Sequence, residues 1–378
     1  MKQRKIGILS NINPKDRKGS SGTIFKISET LEKLGYEIIW IEVKINIVFK
    51  IFNKLNNLKN RFFSKKDFFH QSKLSALLIN LFIDKKIINS VDLIFAPFSS
   101  TALYYLKTEK KIIYLSDATF AAMLDYYPEF SNLTQKSIRE GNLIEKTAMN
   151  KASAIILSSD WAKDSAIKDY GIKEEKINVI EFGANLDEDD IQIKKAKKSG
   201  ELNMLFLGVD WERKGGAIAL DACKYINNNG LKCTLNIVGI KNLDCNIESL
   251  DYLNNIGFLN KNDKSQYGKL IETIQYCDCL LLPTKAECAG IAFAESSAFG
   301  LPIFSHHTGG ISNYVEDGIN GYLLALGSSG NDFGDKIIDC YNSGELEQMS
   351  AKAIDLYQSK LNWAVWGKRT KEVLDQMS

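Results

Sequence analysis

No apolar run among the 378 residues is long enough to cross a bilayer as a helix, so the chain is not expected to span a membrane. The basic start, Met1-Lys2-Gln3-Arg4-Lys5, is followed by Ile6-Gly7-Ile8-Leu9-Ser10, too short for a signal-peptide core and better read as a buried first strand. Cysteine is sparse: seven thiols, an odd number with no paired C-x-x-C spacing, make no disulfide framework and fit the reduced thiols of a cytoplasmic protein. Charge of one sign is also lacking. With 48 Lys and Arg against 46 Asp and Glu the net charge is +2, so no global field draws nucleic acid, and any basic site must be local. Histidine is scarcer still, with His70, His306 and His307 alone; the last two follow an apolar run, and packing of that loop is a safer expectation for them than ligand contact.

What is present is alternation. Short apolar runs at Ile6–Leu9, Glu37–Val43, Val91–Ala96, Ile112–Leu115, Ala154–Leu157 and Asn178–Ile180 read as strands, with amphipathic stretches such as Ile24–Leu34 and Ile138–Met149 between them. Such alternation implies a parallel sheet covered on both faces. It stops at Asp187-Glu188-Asp189-Asp190 and resumes at Met204–Leu207, followed by Leu235–Val238, Cys279–Leu282, Leu301–Phe304 and Tyr322–Leu324. The expected organisation is therefore an α/β chain of two doubly wound domains. They cover residues 1–186 and 201–355, joined by a polar linker at 187–200, with a helix over 356–378 returning to the first domain. The cleft between the domains is the default site. Trp363 and Trp366 are the expected anchors of the last segment.

One stretch departs from the pattern. From Lys44 to Lys66 there are seven basic residues (Lys44, Lys50, Lys54, Lys59, Arg61, Lys65 and Lys66) and no acid, interleaved with Ile45, Val48, Phe49, Phe52, Leu55, Phe62 and Phe63. A basic amphipathic helix lying on an anionic membrane fits this composition, and so does a surface helix packed on the first sheet with solvated lysines.

The most informative segment runs from Leu280 to Glu295: an apolar strand ends at Pro283, a tight loop carries Glu287, and Gly290 opens a helix containing Glu295. A helix start offers unpaired N–H groups and a positive dipole end, both suited to a diphosphate. Carboxylates on either side accept from sugar and ribose hydroxyls. Two glutamates alone would read as a cap and a solvated side chain. Their neighbours change that. Gly208-Val209-Asp210-Trp211-Glu212-Arg213-Lys214-Gly215-Gly216 also joins a strand to a helix, where the dipole disfavours cations unless an anion is to be held. Thr308-Gly309-Gly310-Ile311 and Gly19-Ser20-Ser21-Gly22-Thr23 repeat the strand–glycine–helix arrangement.

These residues resemble the family 4 retaining glycosyltransferases, which have two facing Rossmann-like domains, the GT-B fold. Glu287 and Glu295 match that family's E-x7-E motif, and Arg213-Lys214-Gly215 resembles its phosphate-binding element. Leu301-Pro302, Gly309-Gly310 and Asp317-Gly318-Ile319-Asn320-Gly321-Tyr322 match its downstream signatures. The similarity is strong from about residue 200 to 330 and weaker before. It implies transfer of a sugar from a nucleotide diphosphate donor, UDP-linked ahead of GDP-linked, to a glycan, lipid-linked or small-molecule acceptor. It also implies retention of configuration, the leaving phosphate taking the acceptor proton.

By the same resemblance Glu287 contacts the donor sugar, Glu295 the ribose, and Arg213 and Lys214 the diphosphate. The amides of Ala289, Gly290 and Ile291 complete the cradle with Gly309 and Gly310, and Gly22 approaches from the first domain. Two departures stand out. Val209 occupies the place of the family's Arg, so Arg213 acts from a shifted position. Where many members have a histidine, this chain has Ser116-Asp117-Ala118-Thr119, making Asp117 the candidate there, either on substrate hydroxyls or as a cap of the next helix. No glycosidase-type carboxylate pair is evident, and the D-x-D of Asp187–Asp189 falls in the polar linker, so neither metal nor cofactor is expected. A non-hydrolysing sugar-nucleotide epimerase and a membrane-surface protein with a vestigial nucleotide site are the competing readings. The expected location is the cytoplasm, with membrane association at its inner face if residues 44–66 bind lipid.

Overall fold

The computed structural model describes residues 4–17, 19–192, 200–244 and 249–377. Two compact units emerge, one of Met1–Ile180 with Gly367–Ser378, the other of Glu181–Trp366.

The first unit holds a six-stranded sheet of β1 (Lys5–Ser10), β2 (Glu37–Glu42), β3 (Leu93–Pro97), β4 (Lys111–Ser116), β5 (Ala154–Leu157) and β6 (Ile177–Val179). The order is 2-1-3-4-5-6 and every pairing is parallel. The second holds β7 (Leu202–Leu207), β8 (Cys233–Val238), β9 (Leu253–Gly257), β10 (Cys279–Leu282), β11 (Ile303–His306) and β12 (Gly321–Leu324), in the order 12-11-10-7-8-9, again all parallel. Strands such as β3 and β10 are buried along their whole length, which is why they read as unbroken apolar runs rather than alternating ones. Each sheet reverses its winding once, between β1 and β3 in the first and between β7 and β10 in the second. At such a point two neighbouring loops leave the carboxyl edge in opposite directions and open a crevice.

All eleven strands expected from the sequence form, with ends shifted by a few residues. The additional one is β9, whose sequence Leu-Asn-Asn-Ile-Gly is too polar to signal a strand alone; it is held at the sheet edge by β8. At the C terminus the expected single helix is broken in two, α13 (Glu345–Ser359) and α14 (Trp363–Gln376). Asn362 ends one and starts the other: its side-chain amide donates to Tyr357 O (2.8 Å) and its carbonyl oxygen accepts from Val365 N–H (2.9 Å). Trp363 and Trp366 are both buried, as expected.

The stretch expected to be a linker is tied to the second unit where it is described. Asp187 N–H donates to Tyr267 Oη (2.8 Å), Glu188–Asp190 form a 3-10 turn, and Gln275 Nε2 donates to Gln192 O (2.9 Å). Residues 193–199 of that stretch lie outside the described residues.

The basic stretch forms α2 (Ile47–Asn60), followed closely by α3 (Lys73–Asn80). Helix α2 is anchored on the first unit through Phe49, which joins the core with Leu9, Ile41 and Ile94, and its lysines are exposed; most of its apolar stripe, however, is not covered. Phe49 alone is buried within the helix, while Ile47, Ile51, Leu55 and Leu58 face outward. The reason is the inward face, which is made of asparagine: Asn56 Nδ2 and Asn60 Nδ2 donate to Asp67 O (2.7 and 2.9 Å), and Asn60 Oδ1 accepts from Asp67 N–H (2.8 Å).

Candidate functional site

At the winding reversal of the second sheet, the loop after β7 meets the loop after β10. The first is a tight turn in which Lys214 N–H donates to Asp210 O (3.0 Å) and Arg213 N–H to Asp210 Oδ1 (3.0 Å). Gly215 then caps α9 (Gly216–Asn228) in the left-handed conformation, φ 74°. No other residue fits there, because a Cβ on Gly215 would lie 2.0 Å from Pro283 O. That contact lets the second loop close on the first: Lys285 N–H donates to Arg213 O (2.8 Å), and Arg213 Nη1 donates to Ala286 O (2.8 Å).

The charged side chains gather accordingly. Lys214 Nζ is ion-paired with Glu287 Oε2, and Arg213 Nη1 lies 4.0 Å from the same oxygen while its Nε is 3.4 Å from Asp210 Oδ2. Arg213, Lys214 and Glu287 are all largely withdrawn from solvent. The turn over 210–214 thus brings Arg213 to the Glu287 loop, while Val209, in the place the family gives to arginine, is exposed. The third loop joins them through Gly310 N–H, which donates to Glu287 O (3.1 Å), with Gly309 at φ 53° just before. His306 is packed under this junction, its Nδ1 3.0 Å from Pro283 O and its ring against Phe333, which agrees with the packing role expected of it.

Beyond Glu287, Ala289 and Gly290 are buried, and α11 (Ile291–Ala298) starts at Gly290, where a Cβ would strike Phe293 and Tyr314. The chain tightens here through Ile291 N–H to Ala289 O (3.1 Å). Glu295, on the second turn of α11, is 3% exposed and ion-paired with Lys261, whose Nζ also reaches Asn185 O (3.4 Å). Lys261 escapes a sequence reading because it follows the polar strand β9. Its only signal is the turn Lys261-Asn262-Asp263 before α10 (Lys264–Tyr276), where Asp263 caps through Gln266 N–H. Asp210, which orients Arg213, is the second residue not anticipated.

Gly22 and Asp117 belong to the first unit. Gly22 caps α1 (Thr23–Lys33) at φ 91°, after β1 and thus at that sheet's own winding reversal. Asp117 follows β4 and is half-buried. It does not cap the next helix; Thr119 does, its hydroxyl accepting from Ala122 N–H (3.2 Å). Below Asp117 lies a buried carboxyl the sequence did not single out, Glu145 on α7 (Gln135–Lys151). Tyr114 Oη donates to it (2.7 Å) and Gln71 Nε2 lies 3.4 Å away. Burial pushes Glu145 up to about 7, against the hydrogen bonds from Tyr114 and Ser100; the Asp117 charge adds to the rise.

A comparison with known proteins gives this arrangement its class. Residues 187–355, which include all three loops and Glu295, match the family model described as Glycosyl transferases group 1, a match over somewhat less than half of the chain. An uncharacterized glycosyltransferase of Methanocaldococcus jannaschii is 26% identical over 247 residues, 65% of this chain and 66% of that protein. The amylovoran biosynthesis glycosyltransferase AmsK of Erwinia amylovora is 24% identical over 172 residues, 42% of this chain and 40% of that protein. The matches thus span under two thirds of these curated relatives. Among solved structures, sucrose-phosphate synthase of Thermosynechococcus elongatus superposes with a TM-score of 0.72 at 14% identity, covering 99% of both chains. Anabaena HepE in complex with UDP and glucose gives 0.66 at 17% identity, over 99% of this chain and 100% of that one. The fold is that of the two-domain GT-B glycosyltransferases.

Proposed function

We propose that the chain is a retaining glycosyltransferase of the family 4 kind, which moves a sugar, a hexose by preference, from a UDP-sugar to an acceptor in polysaccharide or glycoconjugate synthesis. The observation that carries this reading is the junction at the second sheet's winding reversal, where Arg213, Lys214 and Glu287 converge beside the start of α11. Two cations and the N–H groups of a helix start suit a diphosphate, and their worth rises as negative charge grows on the departing UDP. Lys214 turns from Glu287 toward that phosphate, which frees Glu287 to accept from the sugar's hydroxyls. Glu295, oriented by Lys261, accepts from the ribose. The departing phosphate takes the acceptor's proton, so the reaction needs neither a protein nucleophile nor a divalent cation. The cytoplasm, where nucleotide sugars are made, is the expected compartment.

Thermal melts with UDP and with UDP-sugars test the assignment. A ligand at about 100 times its Kd stabilises by about 2.7 kcal/mol. Wild type should show that rise, and Lys214→Ala and Glu295→Ala should each reduce it. No rise with any uridine or guanosine nucleotide, or an undiminished rise in both variants, overturns the assignment. Turnover that disappears with chelator and returns with magnesium or manganese would remove the metal-free step alone.

A further inference from the structure

Helix α2 is inside out. Past Phe49 its inward face is made of Asn53, Asn56 and Asn60, and its apolar stripe, Ile47, Val48, Ile51, Phe52, Leu55 and Leu58, faces outward, Ile47 being 69% exposed. These positions recur at three- and four-residue steps, which gathers them on one side of the helix. The stripe continues into Phe62, 77% exposed, and Phe63. Neighbouring α3 and the turn after it add Leu74, Leu77, Leu81 and Phe82, also exposed. Leu74 and the α2 residues Phe52 and Leu55 line one hollow, with Lys59, Asp67, Lys136 and Glu140 at its polar side, so the two sets meet at Leu74. Scattered exposed leucines are ordinary in a soluble protein; a contiguous patch of this kind marks an interaction surface.

We propose that this α2–α3 surface docks the protein on an anionic lipid bilayer, with the apolar stripe in the interface and the basic side chains at the headgroups. Charge selects the occupant. Lys44 to Lys66 contributes seven cations and no carboxylate, and Lys50 and Lys54 flank the stripe along the helix. The acids near it are already engaged or outnumbered: Asp67 pairs with Lys59 (2.5 Å), Asp84 caps α4 (Lys85–Ser90), and Glu140 accepts from Lys73 N–H (3.0 Å). A second copy of the chain, docked through the same patch about a two-fold axis, would set lysine against lysine. A surface of phosphate-bearing lipids instead attracts each of them and accepts the leucine and phenylalanine side chains between.

The test is flotation of the whole chain with vesicles, a readout that does not depend on the transferase reading. Wild type should float with vesicles of phosphatidylcholine and phosphatidylglycerol, float poorly with phosphatidylcholine alone, and be released by salt. The triple variant Ile51→Gln, Leu55→Gln, Leu58→Gln should bind the anionic vesicles about tenfold more weakly. Lys50→Gln, Lys54→Gln, Lys65→Gln should do the same and lose most of the salt dependence. All six side chains are exposed, so both variants should melt with the wild type. The proposal is overturned if wild type does not float with the anionic vesicles, or if the apolar variant floats equally well. It is also overturned if sedimentation shows a dimer that the apolar variant dissolves while vesicles leave the wild type unbound.

Discussion

Lys214 and Lys261 each hold a carboxylate, but the expected consequences of removing them differ. On the proposed function, Lys214 faces the charge that grows on the departing diphosphate, so Lys214→Ala should lower kcat roughly 100-fold with a smaller change in donor affinity, as separate kcat and Kd measurements would show. Lys261 instead compensates Glu295, buried at 3% exposure. Its loss should cost about 1–3 kcal/mol of stability. Adding Glu295→Gln to Lys261→Ala should recover part of the melting temperature, because a neutral amide needs no counter-charge. A third carboxyl gives a pH signature. Glu145, at 4.5 when unfolded and about 7 when folded, favours the folded state most fully below 4.5, and that contribution is lost as pH rises through 7. Glu145→Gln keeps an acceptor for Tyr114 and should flatten the fall in melting temperature between those limits. Glu287 and Glu295 were legible in the sequence because their spacing and flanking glycines are local. Lys261 and Glu145 were not, since each acquires its partner through the fold, across 34 residues to Glu295 and 31 to Tyr114.

At the scale of elements, the candidate site rests on how closely two loops approach, and Gly215 sets that approach. Left-handed backbone alone costs an alanine about 1–2 kcal/mol, and the encounter with Pro283 O at 2.0 Å adds to it. Gly215→Ala should therefore destabilise clearly more than Gly230→Ala, which has φ 87° and nothing within 4 Å, and should weaken donor binding where Gly230→Ala does not. Strands were readable wherever burial on both faces made the run apolar. The exception, β9, sits at a sheet edge with one neighbouring strand, and its asparagines are tolerated there: Asn254 Nδ2 donates to Asn236 Oδ1 (3.0 Å). Helix α2 was legible as a helix, yet its orientation was not. An apolar stripe implies an inward face by default, and the asparagine bonds to Asp67 that reverse it connect the helix to a residue beyond its own end.

At the scale of the whole molecule, α14 serves two units at once. Its first turn places Trp363 in the second unit, where Nε1 donates to Asn185 Oδ1 (3.2 Å). Its remainder belongs to the first, where Arg4 Nη1 reaches Leu374 O (3.4 Å) and Arg369 donates to Val179 O. Truncation after Leu361 should lower the melting temperature of both units, read as two transitions or as one broadened one by calorimetry; an unchanged profile would show α14 to be dispensable. The same helix bears on synthesis. As the ribosome delivers the chain, the second unit has all its residues once Trp366 emerges, whereas the first, begun earlier, still awaits the segment from Gly367 onward. The half started first is therefore completed after the second, and until the segment from Gly367 emerges, Val179 O on the edge strand β6 lacks the donor that Arg369 supplies.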